Sequence, residues 1–391
     1  MTMPRATVVH IITQLELGGA QEIALLFCRH LARHDFDVHL VAGRGGILDD
    51  EAGRSPGISF HHDDHLVRPV RPAEDLRCLG SLTELLRQLR RGAAAPVIVH
   101  THSSKAGIVG RWAAWRAGAE IRIHSIHGFG FHAAQPWATR AAFQLAERVT
   151  APITHAFCPA SEANRRVAER LGLLRQGQPT VVLPEAIEAA EYEPGPGDAS
   201  EIRSELGIPL DAPLVGMIAC FKPQKAPLDF VRVAARLGET HPAAHFFLAG
   251  DGVLRPAIEA EVRRVSLERR VHLLGWRRDV RRLLGAADVL VLTSLWEGLP
   301  RVVLQAMAAS KPIVATRVDG TPEAIAEGES GFLLEPHDVV GFAERIGRLL
   351  EDPVLARRMG EEGRRRLTPF LAPVMLAKLD RLYDDLLARL G

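Results

Sequence analysis

Residues Thr7–Arg33 read TVVHIITQLELGGAQEIALLFCRHLAR. A β-branched and apolar run comes first, the pair Gly18-Gly19 follows, and from Gln21 apolar residues recur at the spacing of a helix face. This order predicts a buried strand, a tight glycine turn and a helix whose first turn presents free N–H groups to a ligand. A plain βα turn is the simpler alternative. Repeated units of this kind build a parallel sheet covered by helices on both faces.

The same alternation continues along the chain in two series. In the first series, strands are predicted at Thr7–Thr13, Val38–Ala42, Pro96–His100, Ile121–Ser125 and Phe157–Pro159. In the second series, strands are predicted at Leu214–Ala219, His245–Ala249, Val271–Leu274, Val289–Leu292 and Pro312–Ala315. Between them, the Pro- and Gly-rich segment Glu191–Ser200 (EYEPGPGDAS) predicts a linker.

We therefore predict an α/β protein made of two Rossmann-like, doubly wound domains that face a central cleft. The first domain is predicted over residues 1–188 and the second over residues 200–371, with a linker at 189–199. The amphipathic C-terminal helix, residues 372–391, is predicted to pack back on the first domain. Ligands of such sheets bind beyond the carboxyl ends of the strands.

Composition excludes several classes of protein. The 391 residues include 48 Lys and Arg against 47 Asp and Glu, a net charge of +1, which argues against a nucleic-acid binder. No apolar run approaches the length of a spanning helix, and we expect no cleaved leader at the N-terminus. The four cysteines are too far apart for a zinc motif and fit a reducing cytoplasm, so we expect no metal; they are Cys28, Cys78, Cys158 and Cys220.

Lysine is rare in this chain, and its placement is informative. Only five of the 48 basic residues are lysines, and two of them, Lys222 and Lys225, follow the first strand of the second series. A compact ammonium group at a strand end suits phosphate. The segment therefore predicts an anion site, with a solvated basic turn as the alternative.

The segment Thr293–Ala306 (TSLWEGLPRVVLQA) carries the strongest motif. Glu297 lies in a Gly- and Pro-containing loop after a strand, and a helix follows. The N–H groups of its first turn, near Arg301 and Val302, are free to bind a diphosphate. Gln305 lies one turn further along and can hydrogen-bond a ligand held at the helix tip. An ordinary exposed carboxylate is the alternative for Glu297.

Two further loops are glycine-rich. Residues 124–132 (HSIHGFGFH) place three histidines around two glycines, but no carboxylate or helical histidine pair supports zinc, so we predict a cleft loop. Gly250-Asp251-Gly252 follows another strand. Its glycines suggest close approach of the backbone to a ligand, although Asp251 could instead cap the next helix.

Together these segments resemble glycosyltransferase family 4, whose members are retaining enzymes of the GT-B fold that use nucleotide-activated sugars. The resemblance spans nearly the whole chain. It rests on Gly18-Gly19, His127-Gly128, Lys225, Gly250-Asp251-Gly252 and the Glu297-Gly-Leu-Pro helix start, and Val318–Glu323 is similar to the loop that follows the next strand in that family.

The resemblance implies roles for individual residues. His127 would approach the transferred sugar with its backbone carbonyl, Lys225 would neutralise the diphosphate, and Glu297 would hold sugar hydroxyls. The remaining donor-binding set would comprise Gly18, Gly19, Gly250, Asp251, Gly252, Leu274, Gly275, Trp276, Gly298, Leu299, Pro300, Arg301, Val302 and Gln305. Contacts with the acceptor would come from His102, Lys105, Phe129 and His132.

This sequence departs from the family pattern at two positions. Gln305 stands where the family has a glutamate that holds the ribose hydroxyls, so one charge-assisted bond, worth about 1–2 kcal/mol, is lost. Cys220 stands where the family usually has an arginine. If residues 220–222 are extended, Lys222 shares a face with Cys220 and could bind the donor by supplying the missing charge.

We predict a retaining hexosyltransferase that needs no metal or other cofactor and uses a nucleotide-sugar donor, of which a UDP-sugar is the first candidate. The acceptor is unknown; cell-surface glycans, glycolipids and metabolites are candidates. The stretches Trp112–Arg122 and Phe131–Arg148 combine aromatic and basic residues and could contact the inner face of a membrane, or form ordinary buried helices. A catalytically weak sugar-nucleotide binder, an epimerase and a phosphorylase remain alternatives. The missing third glycine argues against an NAD-dependent dehydrogenase.

Overall fold

The computed structural model describes residues 3–132 and 135–390. The chain forms two compact units. Unit 1 comprises Met1–Glu185 together with Pro373–Gly391, and unit 2 comprises Ala186–Ala372. Residues 189–199, predicted as a linker, lie within unit 2, where they contribute the 3-10 helix Ala189–Tyr192 and the start of an α-helix.

Unit 1 is built on a six-stranded parallel sheet. Its strands are β1 (Ala6–Gln14), β2 (Phe36–Gly43), β3 (Ile58–His62), β4 (Val97–His102), β5 (Ile121–Ile126) and β6 (Ala156–Pro159). They lie in the order β3-β2-β1-β4-β5-β6. The α-helices are α1 (Gly19–Leu31), α2 (Asp49–Gly53), α3 (Pro72–Gly92), α4 (Ser104–Ala117), α5 (Trp137–Thr150), α6 (Glu162–Arg170) and, at the end of the chain, α15 (Ala372–Ala388). A 3-10 turn, Ala151–Ile153, extends α5.

Unit 2 repeats this plan. Its strands are β7 (Leu214–Ile218), β8 (His245–Ala249), β9 (Val271–Gly275), β10 (Val289–Leu292), β11 (Ile313–Thr316) and β12 (Gly331–Leu334), in the order β12-β11-β10-β7-β8-β9. The α-helices are α7 (Asp198–Leu206), α8 (Pro227–Thr240), α9 (Arg255–Arg264), α10 (Val280–Ala286), α11 (Arg301–Ala308), α12 (Thr321–Ala324), α13 (Val339–Glu351) and α14 (Pro353–Arg365). Short 3-10 helices occur at Pro223–Lys225 and Thr368–Phe370.

The predicted pair of doubly wound sheets is confirmed, and the strand order locates where each can bind a ligand. In both sheets the first strand lies between the second and fourth strands of its series, so the winding reverses there. Ligands of open parallel sheets bind beyond the carboxyl ends of the strands at this switch point. The positions of interest are therefore the loops after β1 and β4 in unit 1, and after β7 and β10 in unit 2.

The strands that flank the switch points are buried on both faces, as central strands of a parallel sheet must be. Every residue of β4 and β10 is buried, and in β1 only Gln14 is not fully so. Apolar helix faces cover both sides of each sheet. These strands form a rigid base on which the loops at their carboxyl ends are held.

The C-terminal helix α15 packs on unit 1, where its polar residues are bound by the first half of the chain. The buried hydroxyl of Tyr383 lies 2.8 Å from Nδ1 of His100 in β4. The carboxylate of Asp380 lies 2.8 Å from Nε2 of His30 in α1. Burial raises the pKa of Tyr383, so its hydroxyl stays protonated.

Two strands were not predicted, and both lie at the edges of their sheets. β3 (ISFHH) is half-exposed and partly polar, whereas β12 (GFLL) is a short run that begins with glycine. Helix α3 begins at Pro72, and proline suits the first position of a helix. In the two described stretches of the chain we find no helix with the length and apolar character needed to cross a bilayer.

Candidate active site

The switch point of unit 2 brings Lys225 and Glu297 together. Lys225 ends the loop that follows β7, and Glu297 lies in the loop that follows β10. The Lys225 ammonium group forms an ion pair with Oε1 of Glu297. Both side chains are largely buried, with exposed fractions of 17% and 6%. The two residues that the sequence singled out most strongly thus share one site.

Hydrogen bonds from the main chain and from two side chains tie the two loops to each other. The Leu295 N–H donates to the carbonyl of Gln224 at 2.7 Å, and the Gln224 side-chain amide donates to the carbonyl of Trp296 at 2.7 Å. The Thr293 hydroxyl lies 3.0 Å from the carbonyl of Lys225. These bonds flank the ion pair on both sides and hold together the two loops that carry it.

A third loop, which follows β11, binds the main chain at Glu297 and Gly298. The Glu297 N–H donates to Oδ2 of Asp319 at 2.7 Å, and the Gly320 N–H donates to the carbonyl of Gly298 at 3.1 Å. Asp319 has φ +41°, a conformation that few residues other than glycine adopt. Burial raises the pKa of the Asp319 carboxyl, and the nearby Glu297 carboxylate raises it further, against the lowering effect of the hydrogen bond.

Helix α11 begins directly after Pro300, as the motif predicts. At its first turn, Nη1 of Arg301 donates to the carbonyl of Ala186 at 2.7 Å. One turn later the Gln305 side-chain amide donates to the hydroxyl of Tyr192 at 3.1 Å. Tyr192 lies in the segment predicted as a linker, so this partner of Gln305 was not predicted.

Gly250 and Gly252 approach the protein's own backbone. A Cβ atom at Gly250 would lie 2.0 Å from the carbonyl oxygen of Ala219, and one at Gly252 would lie 2.6 Å from that of Phe221. Both glycines also have φ values, +140° and +151°, that favour glycine. Their close approach, which we expected toward a ligand, is made to the loop after β7. Asp251 pairs with Arg255 at 3.0 Å and does not cap α9.

The remaining predicted donor residues lie on neighbouring loops of unit 2. β9 ends at Gly275, whose carbonyl accepts the Gly250 N–H at 2.7 Å, and Trp276 beyond it is 44% exposed. Leu274, within β9, is half-buried, whereas Gly298, Leu299 and Val302 flank the start of α11. The aromatic face of Trp276 is thus accessible for stacking against a flat group.

The premise for Lys222 is wrong. The Lys222 N–H donates to the carbonyl of Cys220 at 2.9 Å, so the chain turns at Phe221 and residues 220–222 are not extended. Their side chains therefore do not share a face as alternate strand residues would. The proposal that Lys222 replaces a missing guanidinium group loses its geometric basis.

In unit 1, the switch point gathers Gly18-Gly19, His102, His127 and Glu185. Nδ1 of His127 lies 3.0 Å from Oε1 of Glu185, and Nε2 of His127 lies 3.0 Å from Nδ1 of His102. Glu185 was not predicted. The only signal for it was a carboxylate after the apolar run Val181–Pro184. Because both ring nitrogens of His127 are hydrogen-bonded within the protein, its side chain anchors the loop.

A group of buried histidines fills the end of the unit 1 sheet; it comprises His10, His100, His102 and His124. Burial lowers the pKa of His10 to about 3 and lowers the pKa values of the other three well below the ordinary value. In the described part of the chain, His10, His100 and His102 form the one cluster close enough to hold a metal ion. However, both nitrogens of His100 bond to Tyr383 and Ser125 at 2.8 Å.

The four predicted acceptor contacts are not equally available. His102 is fully buried, so it acts on His127 and cannot meet an acceptor directly. The ammonium group of Lys105 is held by the Pro69 carbonyl at 2.6 Å and by Asp75 at 2.5 Å. Phe129 packs against Phe131 and, like His132, is half-buried on the loop after β5. Burial lowers the pKa of His132.

Two family models match the chain, one in each unit. The model described as "Glycosyl transferase 4-like domain" matches residues 18–185, and the model described as "Glycosyl transferases group 1" matches residues 198–366. Both matches are glycosyltransferase domains, as the resemblance predicts. Together they span most of both sheets.

Relatives of known function point to the same class. The chain is 29% identical over 357 residues to the UDP-Gal:alpha-D-GlcNAc-diphosphoundecaprenol alpha-1,3-galactosyltransferase of Escherichia coli, a match that covers 90% of each protein. It is 33% identical over 191 residues to the N-acetyl-alpha-D-glucosaminyl L-malate synthase of Bacillus anthracis, covering 49% of this chain and 50% of that protein.

Solved structures share the fold. Sucrose-phosphate synthase from Thermosynechococcus elongatus superposes with a TM-score of 0.84 at 22% identity and covers 98% of this chain and 100% of that one. Anabaena Alr3699/HepE in complex with UDP-glucose superposes with a TM-score of 0.81 at 20% identity, covering 97% and 99%. The GT-B fold is thereby confirmed, and the chain belongs to the GT4-type family of glycosyltransferases, enzymes that transfer sugars.

Proposed function

We propose that this enzyme transfers a hexose from a UDP-hexose to a hydroxyl group of a lipid-linked sugar, with retention of configuration. The observation that carries the proposal is the Lys225–Glu297 ion pair at the switch point of unit 2. A cation beside a carboxylate suits a ligand that joins a diphosphate to a hydroxylated ring. The Escherichia coli relative uses UDP-Gal by name, and HepE has been solved with UDP-glucose.

The chemistry of transfer needs the nucleoside diphosphate to leave with its negative charge stabilised. Lys225 supplies one positive charge, and the first-turn amides of α11, near Arg301 and Val302, supply dipoles aimed at the same anion. Glu297 accepts hydrogen bonds from sugar hydroxyls. We propose that these groups suffice without a metal ion, and that the leaving phosphate takes the acceptor's proton on the face it departs from, which gives retention.

The nucleoside would bind beyond the diphosphate. We propose that Gln305 accepts and donates hydrogen bonds to the ribose diol, with its amide already oriented by Tyr192. The exposed ring of Trp276 would stack on the base. An amide in place of a carboxylate weakens the ribose contact by about 1–2 kcal/mol, which is a decrease in affinity and not its loss.

The acceptor proposal rests on the surface of helix α5. Three of its large apolar residues are exposed, with Trp137 at 77%, Leu145 at 60% and Val149 at 53%. The exposed Arg148 lies on the same helix. An exposed apolar stripe with basic residues suits an interface that contains anionic lipid. The Escherichia coli relative acts, by its name, on an undecaprenol-linked sugar, and we propose that this enzyme meets such an acceptor at the cytoplasmic face of a membrane.

The experiment that tests the reaction combines binding and turnover. UDP, GDP, ADP and dTDP are compared by thermal shift, since a ligand that binds only the folded state must stabilise it. UDP-glucose, UDP-galactose and UDP-N-acetylglucosamine are then offered with a GlcNAc-diphosphate lipid, and the product's anomeric configuration is read by NMR. We expect UDP to stabilise most and the product linkage to be α. A β-linked product, or stabilisation by another nucleotide only, would refute the proposal.

Membrane contact is tested separately by flotation with phosphatidylglycerol vesicles and with neutral phosphatidylcholine vesicles. We expect the wild type to float with the anionic vesicles and the double variant Trp137→Glu/Leu145→Glu to stay unbound. The control is Val354→Glu, an equally exposed apolar position in unit 2 (78%), which should float like the wild type. Equal flotation of the double variant would remove α5 from the proposal.

A further inference from the structure

Three imidazoles and one carboxylate form a continuous hydrogen-bonded line at the carboxyl end of the unit 1 sheet. Nδ1 of His10 lies 2.9 Å from Nε2 of His102, Nδ1 of His102 lies 3.0 Å from Nε2 of His127, and Nδ1 of His127 lies 3.0 Å from Oε1 of Glu185. We call His10, His102 and His127 the imidazole row. It runs from strand β1, through the end of β4 and the loop after β5, to the segment that follows β6.

The end groups of the row favour one direction for its hydrogen bonds. Burial keeps His10 and His102 neutral, so each carries a single N–H. An oxygen of the Glu185 carboxyl group accepts from Nδ1–H of His127. In the arrangement that continues this direction, Nε2 of His127 accepts from Nδ1–H of His102, and Nε2 of His102 accepts from Nδ1–H of His10. The row ends at Nε2 of His10, an acceptor with no partner among the described residues.

The Glu185 carboxylate is buried and lies directly against Gly19. Glu185 is 4% exposed, and its Oε2 has no hydrogen-bond partner within residues 3–132 and 135–390. A Cβ atom built at Gly19 would lie 2.9 Å from Oε2 and 3.1 Å from the carboxyl carbon. Gly19 must therefore lack a side chain for Glu185 to occupy this position. As the first residue of α1, Gly19 also places the positive end of the helix dipole beside the carboxylate.

We propose that Glu185 is the positioning residue of His127. Its carboxylate, held beneath Gly19, fixes the imidazole row in the all-Nδ1–H state and thereby holds the loop that begins at His127-Gly128. Gly128 has φ +143°, so the backbone turns sharply immediately after the anchored ring. The ring of His127 acts as the anchor, and its main chain is what remains available to a substrate. The inference rests on the proposed function only for its effect on turnover.

A residue without direct access to a substrate can still affect catalysis by positioning a group that has such access. A displacement of about 1 Å in a positioned group can reduce turnover about 100-fold. Replacing Glu185 by leucine removes the carboxyl oxygen that accepts the His127 Nδ1 proton, so the row loses the group that favours its direction. Glutamine keeps a carbonyl oxygen at the same place and can still accept from Nδ1–H.

The test compares Glu185→Leu with Glu185→Gln. We expect Glu185→Leu to lower kcat about 10- to 100-fold with a donor KM close to that of the wild type. Glu185→Gln should recover most of that loss. Glu147→Gln serves as the matched control, because Glu147 is as buried as Glu185 but pairs with Arg111 outside the row; its kcat should not change. Equal kcat for wild type and Glu185→Leu would overturn the proposal.

A second readout does not depend on turnover. Nitrogen-15 NMR of the histidine side chains distinguishes Nδ1–H from Nε2–H tautomers. We expect Nδ1–H for the row in the wild type, and loss of that state for His127 in Glu185→Leu. Gly19→Ala should disturb the His127 signal in the same way, whereas Gly18→Ala, whose Cβ would meet only the side chain of Gln21, should not.

The two readouts separate this inference from the function on which it partly rests. If the wild type transfers no hexose from any UDP-sugar, the proposed function fails and the NMR result alone decides the role of Glu185. If the wild type transfers sugar but its row carries Nε2 protons, or if Gly18→Ala and Gly19→Ala behave alike, the positioning role is refuted while the function stands.

Discussion

Removing the ammonium group of Lys225 should cost both stability and turnover, and the two losses can be separated. The Lys225→Met variant leaves the Glu297 carboxylate, 6% exposed, without its counter-ion. Loss of one partner of a buried ion pair costs about 3–5 kcal/mol, and the partial exposure of Lys225 reduces this to about 2 kcal/mol. For a unit of this size the melting temperature should fall by roughly 4–8 °C.

A second substitution restores stability without restoring chemistry. In Lys225→Met/Glu297→Gln the buried group is a neutral amide, whose unpaired cost is only about 1 kcal/mol. The double variant should therefore melt roughly 2–4 °C above Lys225→Met. It should nevertheless transfer no sugar, because neither the cation for the diphosphate nor the carboxylate for the hydroxyls is present.

The assay is differential scanning calorimetry together with turnover of the UDP-hexose. Arg264→Met is the control, since Arg264 pairs with Glu261 but is 65% exposed, so its loss should leave the melting temperature unchanged. A double variant no more stable than Lys225→Met would show that the unpaired Glu297 carboxylate is not the cause of the lost stability. Turnover within threefold of the wild type in Lys225→Met would remove Lys225 from the mechanism.

Three further outcomes are expected. Burial raises the pKa of Asp319 above 3.8, so ionisation of this carboxyl group destabilises the folded state as the pH rises. Asp319→Asn should therefore have a higher melting temperature than the wild type at pH 7.5. Near pH 4, where the wild-type carboxyl group is largely protonated, the two melting temperatures should be similar. Burial keeps His10, His100, His102 and His124 neutral in the folded protein, so they take up protons only when unit 1 unfolds. The free energy of unfolding of unit 1, measured by urea denaturation, should therefore fall by about 1 kcal/mol per histidine between roughly pH 6.5 and 5.5. A free energy of unfolding that does not change over this pH range would contradict the expectation. In Gly250→Ala the new Cβ would lie 2.0 Å from the Ala219 carbonyl oxygen, so calorimetry should show unit 2 destabilised by about 3 kcal/mol. In the control Gly328→Ala the Cβ would meet nothing within 4 Å, and the loss of stability should be about 1 kcal/mol.

Much of the fold could be predicted because central parallel strands are buried on both faces and are written as continuous apolar runs. PVIVH and VLVL are examples. The edge strands could not be predicted in the same way: β3 (ISFHH) is half-exposed and carries two histidines, and β12 (GFLL) is too short to show a period. An edge strand forms mainly because it pairs with the neighbouring strand, so its own sequence carries only a weak strand pattern.

In the candidate site, residues at strand ends could be predicted, whereas contacts made by loops could not. The placement of Lys225 and Glu297 followed from their positions just beyond strand ends, because the ends of neighbouring parallel strands converge. Contacts that depend on loop conformation did not follow. The turn at Phe221 separates Lys222 from Cys220, and Tyr192 reaches Gln305 from a segment that reads as a linker. Glu185 escaped prediction because its importance comes from a geometric fit beneath Gly19.

The assignment of α15 to unit 1 has a consequence for how the protein is made. During translation, residues 3–185 leave the ribosome long before Tyr383 exists, so His100 must wait for its hydroxyl partner until all of unit 2 has been synthesised. A nascent chain halted before residue 372 would lack α15, so the part of the unit 1 sheet around His100 would stay exposed and could be bound by chaperones. A circularly permuted gene that begins with α15 and continues into β1 would remove this delay.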